Sequence, residues 1–291
     1  MITAATNQPT LIVIGGPTAV GKTAYAIETA KKFHTSIISA DSRQFYKEMR
    51  IGTAFPSEEE LAAVKHYFVG HLSIGEYYSI SKFEQDVLKL LPTLFAENPV
   101  VIMTGGSGLY LDAVCKGIDD LPDPDLNIRQ QVIKLFENEG IEALRRRLRH
   151  LDPVFYNTND LANHKRMMRA LEVCLQTGKP YSELLTQSSK KRDFNIQRYY
   201  LNRPREVLFD RINRRVDQMM ADGLLEEAKS LYQYKGTNAL NTVGYKELFD
   251  YMEGKMSMEE AVEKIKVNTR RYAKRQITWF KREYEEMMLQ E

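Results

Sequence analysis

The sequence predicts an α/β protein with a three-layer parallel sheet, an all-helical insertion and a helical C-terminal part. Short apolar, β-branched runs alternate with helical patterns in residues 1–116, the order expected of parallel βαβ units. The strand signal is absent from residues 117–195 and returns at 196–201, after which helical periodicity dominates. We therefore expect a core domain made of residues 1–116 and 196–291, interrupted by a helical insertion at 117–195.

Each element follows from a local pattern of strand-length apolar runs, helix caps or helical spacing. Strands are predicted at 11–14, 36–40, 67–74, 99–103 and 196–201. Helices are predicted from residue 23 onward, after the glycine-rich turn at 104–110, and at 57–64, 79–96, 125–138, 141–149, 159–177, 180–187, 204–220, 223–234, 240–252 and 257–285. On the 159–177 helix, Leu161, Met168, Leu171 and Leu175 are predicted to share a buried face, with Arg166 and Arg169 pointing away from it.

A glycine-rich loop, here called the P-loop, joins the first strand to the first helix. Its residues are Gly16, Pro17, Thr18, Ala19, Val20, Gly21, Lys22 and Thr23, which fit the pattern G-x-x-x-x-G-K-[ST]. The two glycines permit a tight turn whose N–H groups face an anion, and Lys22 can reach the outer phosphate oxygens. The Thr23 hydroxyl can hold Mg²⁺. The loop therefore predicts a P-loop NTPase-like fold that binds a di- or triphosphate.

Two further loops are expected at the same edge of the sheet, because the carboxyl ends of parallel strands lie together. Asp41 ends the second strand, where an acid can hold Mg²⁺, act as a general base, or cap a turn. The loop Thr104–Tyr110 follows the strand at 99–103 and is a second glycine-rich turn. That strand ends without an Asp or Glu, and no N-K-x-D sequence is present, so motor ATPase and guanine-binding patterns are absent.

Composition suggests a soluble, cytoplasmic chain, and the clustering of its basic residues suggests a nucleic-acid partner. The net charge is only +2, no apolar run approaches membrane-spanning length, and the two cysteines, Cys115 and Cys174, form no C-x-x-C pair. The N-terminus lacks the features of a signal peptide. Basic residues nevertheless recur in clusters, which favours an RNA or DNA partner. The clusters are 145–149, 164–169, 190–192, 270–271 and 274–275.

Taken together, these segments resemble the bacterial tRNA dimethylallyltransferases, nearly end to end and in order. The matching stretches are Gly16–Thr23, Ile38–Gln44 with Tyr46, Ile51–Ala54, Gly105–Tyr110, Lys165–Glu172, Arg211–Met219, Val243–Glu247 and Thr269–Trp279. The resemblance implies transfer of a dimethylallyl group from its diphosphate to N6 of the adenine immediately 3′ of a tRNA anticodon. It also implies Mg²⁺ as cofactor and the anticodon stem-loop as partner, and nothing in the sequence requires more than a monomer.

The resemblance also implies roles for individual residues. The P-loop would hold the leaving diphosphate with Mg²⁺ on Thr23, while Thr18 and Arg215 contact the reacting groups; Arg211 is a weaker candidate. Asp41 is suited to accept the proton that leaves N6. Contacts to tRNA would come from Asp41, Ser42, Arg43, Gln44, Ser107, Arg129, Lys165, Arg166, Met167, Met168 and Arg169.

Two other functions remain open from the residues alone. A P-loop small-molecule kinase, with Asp41 activating an acceptor hydroxyl, explains the P-loop equally well but leaves the basic clusters unused. A non-catalytic RNA-binding protein with a nucleotide switch explains those clusters but gives Asp41 and the loop Gly105–Tyr110 no role.

Overall fold

A six-stranded, fully parallel sheet forms the centre of the fold in the computed structural model, which describes residues 8–186 and 189–289. The strands are β1 (Thr10–Gly15), β2 (Ile37–Ser39), β3 (His66–Tyr67), β4 (Val100–Gly105), β5 (Asn195–Asn202) and β6 (Glu285–Met288). Their order across the sheet is β3-β2-β4-β1-β5-β6. β1 is therefore central, in register with β4 on one side and β5 on the other. The predicted α/β fold class is confirmed.

Twelve α-helices accompany the sheet in the described part of the chain. They are α1 (Lys22–Phe33), α2 (Glu58–Ala63), α3 (Ile80–Glu97), α4 (Gly108–Lys116), α5 (Leu126–Leu151), α6 (Pro153–Thr158), α7 (His164–Thr177), α8 (Tyr181–Leu184), α9 (Arg205–Ala221), α10 (Leu224–Leu231), α11 (Tyr245–Met252) and α12 (Met258–Phe280). A 3₁₀ turn, Tyr232–Tyr234, follows α10. α5 is two helices joined at Gly140, whose φ of 72° is not helical, so the separate helices predicted at 125–138 and 141–149 meet there.

The central strands of the sheet are buried on both faces, as parallel strands generally are. Leu11 and Val13 point into one apolar cluster, and Ile12 and Ile14 point into another on the opposite face. All four side chains are fully buried. The alternation of side chains along β1 therefore produces a three-layer core. Because the strands are parallel, their carboxyl ends lie at the same edge of the sheet.

The described residues divide into two compact units. One takes in residues 8–115 and 192–289, and the other takes in residues 116–186 and 189–191. The second unit is helical and has its own apolar core, which includes Phe155 and Leu171. The sequence predicts the end of this unit at residue 195, whereas Arg192 already belongs to the first unit. The Arg192 guanidinium pairs with the buried carboxylate of Glu84 at 2.7 Å.

Several predicted elements are wrong in extent. The strand predicted at 67–74 is limited to β3, since Phe68 takes a positive φ of 61°, and only a single bridge between Tyr46 and Leu72 follows. The last helix ends at Phe280 rather than 285, and the residues after it form β6 alongside β5.

The helical unit also differs from its prediction. α6 was not predicted, α7 begins at His164 rather than 159, and Leu175 is exposed rather than buried. The helix predicted at 180–187 is limited to α8 among the described residues, and residue 187 lies outside them, as do the N-terminal residues 1–7. Among the described residues, no helix combines the length and the apolar character needed to cross a membrane.

Candidate active site

A cleft of about 1070 Å³ opens in the first unit at the carboxyl ends of β1, β2 and β4. Its walls come from the P-loop, the loop after β2, the turn at residues 52–55, and the helices α9, α11 and α12. Ligands of open α/β sheets bind at this edge, because the loops that follow the strands converge there. The P-loop, Asp41 and Gly105 therefore lie together, as the sequence analysis expected.

The P-loop conformation depends on its two glycines. Gly16 has φ of 152° and Gly21 has φ of 108°, both in the region that side chains rarely adopt. A Cβ on Gly16 would also come within 2.9 Å of the carbonyl oxygen of Leu201. Val20 is fully buried in the core beneath the loop, and its carbonyl oxygen is bound by Arg203. α1 begins at Lys22, which leaves unpaired N–H groups of its first turn next to the loop.

Three cationic side chains bind carbonyl groups of the P-loop. Lys22 Nζ donates to the Pro17 oxygen at 2.9 Å, Arg211 Nε to the Ala19 oxygen at 2.8 Å, and Arg203 Nε to the Val20 oxygen at 3.0 Å. Because the carbonyl oxygens are turned toward these cations, the negative ends of the peptide dipoles are neutralised. The loop is thereby suited to an anion.

The cleft carries a marked excess of positive charge. Seven cationic side chains line it, Lys22, Arg43, Arg211, Arg214, Arg215, Lys246 and Arg275, against three carboxylates, Asp41, Glu60 and Glu247. Burial lowers the pKa of Lys22 to about 8, an effect that Asp41 opposes and Arg215 reinforces. Burial likewise lowers the pKa of Arg215, again with Asp41 opposing it. An anionic ligand would stabilise the charged forms of both side chains and offset the effect of their burial.

Asp41 takes one of the roles considered for it, that of capping a turn. Its Oδ1 accepts the N–H of Arg43 at 3.1 Å, and its carbonyl oxygen accepts the N–H of Gln44 at 3.0 Å, so it shapes the turn after β2. Its Oδ2 lies on the side of Gly106. One carboxylate oxygen thus fixes the turn, while the side chain lines the cleft with its second oxygen available.

The two loops after β2 and β4 are bonded to each other. Ser107 Oγ accepts the N–H of Ser42 at 3.2 Å and lies 3.2 Å from the Ser42 hydroxyl. Gln44 Nε2 donates to the carbonyl oxygens of Thr53 at 3.2 Å and Ala54 at 3.0 Å. Ser42, Arg43 and Gln44 line the cleft beside Asp41, and Ser107 supports them from behind.

Gln276 on α12 is a residue of this site that sequence reasoning missed. Its Oε1 accepts the N–H of Thr18 at 2.9 Å, and its Nε2 donates to the carbonyl oxygen of Gly106 at 2.8 Å. It thereby joins the P-loop to the second glycine-rich loop. Its neighbour Tyr272 also lines the cleft, and burial raises the pKa of Tyr272 to about 12. Both residues lie in the matched stretch Thr269–Trp279, which was the only signal for them.

The helical unit presents some of the residues predicted to contact tRNA and buries another. Lys165 and Arg166 are exposed on α7, and Met168 is partly buried. Met167 is fully buried in the core of this unit, so it is not exposed for the tRNA contact that the sequence analysis expects of it. The helix is rotated relative to the predicted face, with Met167 rather than Leu175 inside.

Arg129 and Arg169 are engaged in an ion cluster in the same unit. Arg129 makes two hydrogen bonds to the buried Glu172, at 3.0 and 3.2 Å. Arg169 also pairs with Glu172 and donates to the carbonyl oxygen of Pro122 at 2.6 Å. Removing one partner of a buried ion pair is costly, because the other charge is left uncompensated. Both arginines therefore stabilise the unit, and Arg169 does not point away from its core as predicted.

The donors in the cleft fit Mg²⁺ only together with a phosphate ligand. The Thr23 hydroxyl and the Asp41 carboxylate are hard oxygen donors at its wall. No group of three or more His, Cys, Asp or Glu residues suited to a metal occurs among residues 8–186 and 189–289. Mg²⁺ usually keeps several waters and binds through one or two protein oxygens plus substrate phosphates, which matches this donor set.

Known proteins with similar sequences and structures share one activity in their names. The family model described as IPP transferase matches residues 44–283. The tRNA dimethylallyltransferase 1 of Bacteroides thetaiotaomicron is 53% identical over 278 residues, covering 96% of this chain and 90% of that protein.

Two solved structures extend the comparison. The full-length tRNA isopentenylpyrophosphate transferase from Bacillus halodurans superposes with a TM-score of 0.69 at 35% identity, over 97% of this chain and 90% of that one. A eukaryotic dimethylallyltransferase acting on tRNA gives a TM-score of 0.74 at 27% identity, over 94% of this chain and 70% of that one.

Proposed function

The chain belongs to the IPP transferase family, and we propose that it transfers a dimethylallyl group from dimethylallyl diphosphate to tRNA. The acceptor in this proposal is N6 of the adenine immediately 3′ of the anticodon, position 37. The products are N6-isopentenyladenosine and diphosphate. The observation that supports this function best is the cationic cleft in which the P-loop and Asp41 lie side by side.

The first requirement of this reaction is stabilisation of the leaving group. The bond between the allylic carbon and oxygen breaks, and its electron pair remains on the diphosphate. P-loop N–H groups, Lys22 and Arg215 are positioned before the reaction at the place where this charge develops, which is the most effective form of electrostatic catalysis. We assign the diphosphate to the P-loop, Gly16–Thr23, with Thr18 and Arg215 nearest the reacting atoms.

The second requirement is removal of a proton from the acceptor. The N6 lone pair forms the new bond to carbon, and one N6 proton must then leave. Asp41 has one carboxylate oxygen committed to the turn and the other available, so we assign it as the general base. The adenine must leave its stack before N6 can reach this carboxylate.

Mg²⁺ is proposed as the cofactor, held by the Thr23 hydroxyl and by the diphosphate itself. When bound, it supplies further charge neutralisation for the departing diphosphate. The protein's own contribution is to orient the diphosphate through the P-loop and to keep the carboxylate of Asp41 on the acceptor side of the cleft.

The tRNA contacts proposed here come from both units. Near Asp41, we assign Ser42, Arg43, Gln44 and Ser107 to the anticodon loop. In the helical insertion, the exposed Lys165 and Arg166 suit the phosphates of the stem-loop, and Met168, Arg129 and Arg169 remain proposed contacts. Every group named belongs to one chain, so a monomer suffices.

The experiment that tests this function uses the wild-type protein, unmodified anticodon stem-loop RNA and Mg²⁺, with either radiolabelled dimethylallyl diphosphate or radiolabelled ATP. We expect label from the prenyl donor to appear on the RNA. Transfer from ATP to a small acceptor, with none from the prenyl donor, would replace this proposal with a kinase. RNA binding with no transfer from either donor would favour a non-catalytic RNA-binding protein.

A further inference from the structure

A short turn links Gln44, one of the residues assigned above to the anticodon loop, to a carboxylate on a distant helix. This connecting turn, residues 50–55, is closed by hydrogen bonds from Phe55 N to the Arg50 oxygen at 2.9 Å and from Ala54 N to the Ile51 oxygen at 3.0 Å. Like a single turn of helix, it has unpaired N–H groups at its start and unpaired carbonyl groups at its end. Each end is bound by a different side chain.

Glu227 on α10 binds the start of the connecting turn. Its Oε2 accepts the N–H groups of Arg50 at 2.9 Å and Ile51 at 2.8 Å, and its Oε1 accepts the N–H of Gly52 at 2.9 Å. The hydroxyl of Tyr245 donates to Oε1 at 2.7 Å. A carboxylate offers about four acceptor positions. All of them are in use, so Glu227 has none left for a substrate.

Gln44 binds the end of the connecting turn. Both protons of its amide nitrogen go to carbonyl oxygens, those of Thr53 and Ala54. Since two carbonyl oxygens can only accept, the amide orientation is fixed, and Oε1 lies 3.4 Å from the hydroxyl of Ser39. Oε1 accepts a hydrogen bond from that hydroxyl, so one of its two acceptor positions remains for a ligand. It suits a donor such as the exocyclic amine of a base.

The packing around Gly52 keeps the turn in place. A Cβ at Gly52 would meet the ring of Tyr245, which is fully buried. Burial and the neighbouring Glu227 raise the pKa of the Tyr245 hydroxyl, so it stays protonated and remains a donor. The turn is thus held between the carboxylate of Glu227 and the amide of Gln44.

We propose that Glu227 is a positioning residue for the acceptor base. It fixes the connecting turn, the turn fixes the amide of Gln44, and that amide presents one acceptor oxygen to the amine that is prenylated. This inference rests on the proposed transfer to adenine.

A double-mutant cycle tests this role in the full-length protein. The variants Glu227→Gln, Gln44→Ala and their combination are assayed for kcat and KM with anticodon stem-loop RNA and labelled dimethylallyl diphosphate. Misplacement of a positioned group costs up to about 10²-fold, and we expect Glu227→Gln to lower kcat/KM for the RNA within that range. In the Gln44→Ala background the same change should add less than about twofold, because its effect passes through Gln44.

Two further measurements separate positioning from loss of structure. The affinity for inorganic pyrophosphate, measured by calorimetry, should be unchanged in Glu227→Gln, since the P-loop lies elsewhere in the cleft. Tyr245→Phe removes only one of the four hydrogen bonds and should lower kcat/KM in the same direction but less. The matched control is Glu226→Gln, because Glu226 is exposed and, among residues 8–186 and 189–289, its carboxylate pairs with Lys229 alone, at 2.7 Å.

Two outcomes would overturn the inference. If Glu227→Gln has its full effect in the Gln44→Ala background, Glu227 acts independently of Gln44. If pyrophosphate affinity falls as much as kcat/KM in both Glu227→Gln and Tyr245→Phe, the hydrogen bonds of Glu227 to the connecting turn only maintain the fold. Absence of transfer by the wild-type protein is a different result, which would refute the proposed function and this role with it.

Discussion

Replacing Gln276 with leucine tests how far the site depends on the bond between its two glycine-rich loops. The change keeps a side chain of similar size but removes the acceptor for Thr18 N–H and the donor for the Gly106 carbonyl oxygen. We predict a less stable protein with a weakened diphosphate site.

The magnitude follows from the two orphaned backbone groups. A buried polar group without a partner costs about 1–3 kcal/mol. The Gly106 oxygen is buried and incurs this cost in full, whereas Thr18 borders the cleft, where water replaces part of the loss. A total of about 2–4 kcal/mol follows. For a domain of this size each kcal/mol lowers Tm by about 2–4 °C, which gives a decrease of roughly 4–16 °C.

The assay combines thermal unfolding with calorimetric titration of inorganic pyrophosphate. Because Gln276 holds Thr18 of the P-loop against the second glycine-rich loop, its loss should let the P-loop shift and misplace its anion-binding groups, weakening pyrophosphate binding by about tenfold, the value of one lost hydrogen bond to a charged group. Gln85→Leu is the control, since Gln85 is exposed and its side chain, within the part of the chain that the structure describes, bonds only to Ser81 on its own helix. A Gln276→Leu protein that melts and binds pyrophosphate like the control would refute the reasoning.

Three further predictions concern charge. Asp41→Asn should slow transfer by roughly 10²–10⁴-fold, the range for general acid–base catalysis. The affinity for the stem-loop RNA, measured by filter binding, should be unchanged. An equal fall in affinity would make Asp41 a binding residue. The pKa of Lys22 is about 8, and its protonated form binds the anion. The affinity for pyrophosphate, measured relative to Lys22→Met, should therefore decrease as the pH rises above the pKa, by at most about tenfold per pH unit. A ratio of the two affinities that stays constant between about pH 7 and 10 would contradict this. The double variant Lys165→Ala, Arg166→Ala should reduce the salt slope of RNA binding by roughly 0.7–0.9 per lost phosphate contact and leave Tm unchanged. Arg169→Ala should instead lower Tm, because it leaves Glu172 with one partner fewer. An unchanged slope would remove Lys165 and Arg166 from the interface.

The sheet and the P-loop could be predicted because their signals are local. β1, β2 and β4 are short apolar runs, and the residues that follow each run are fixed by the geometry of a parallel sheet. β6 could not be predicted in this way, since Glu285–Met288 has no alternating pattern. Its strand conformation depends on pairing with β5, which is remote in the sequence.

The residues that hold the site together were harder to find for the same reason. Gln276 and Glu227 look like ordinary polar positions on amphipathic helices, and nothing near them in the sequence identifies their partners. Their roles depend on backbone groups of Thr18, Gly106 and residues 50–52, which any amino acid would provide. Met167 shows a different limit of sequence reasoning. It lies in a matching stretch, but that match did not reveal that its side chain is on the buried face of α7.

The separation of Thr18 and Gln276 along the chain also determines when the site can form during synthesis. The two residues are 258 positions apart. At translation rates of about 5–20 residues per second, roughly 10–50 s separate their incorporation. During that interval a nascent chain has its P-loop sequence but lacks the helix that joins it to the loop after β4. A ribosome-bound chain stalled before α12 should therefore bind pyrophosphate poorly, and the enzyme becomes competent only when its last long helix has docked.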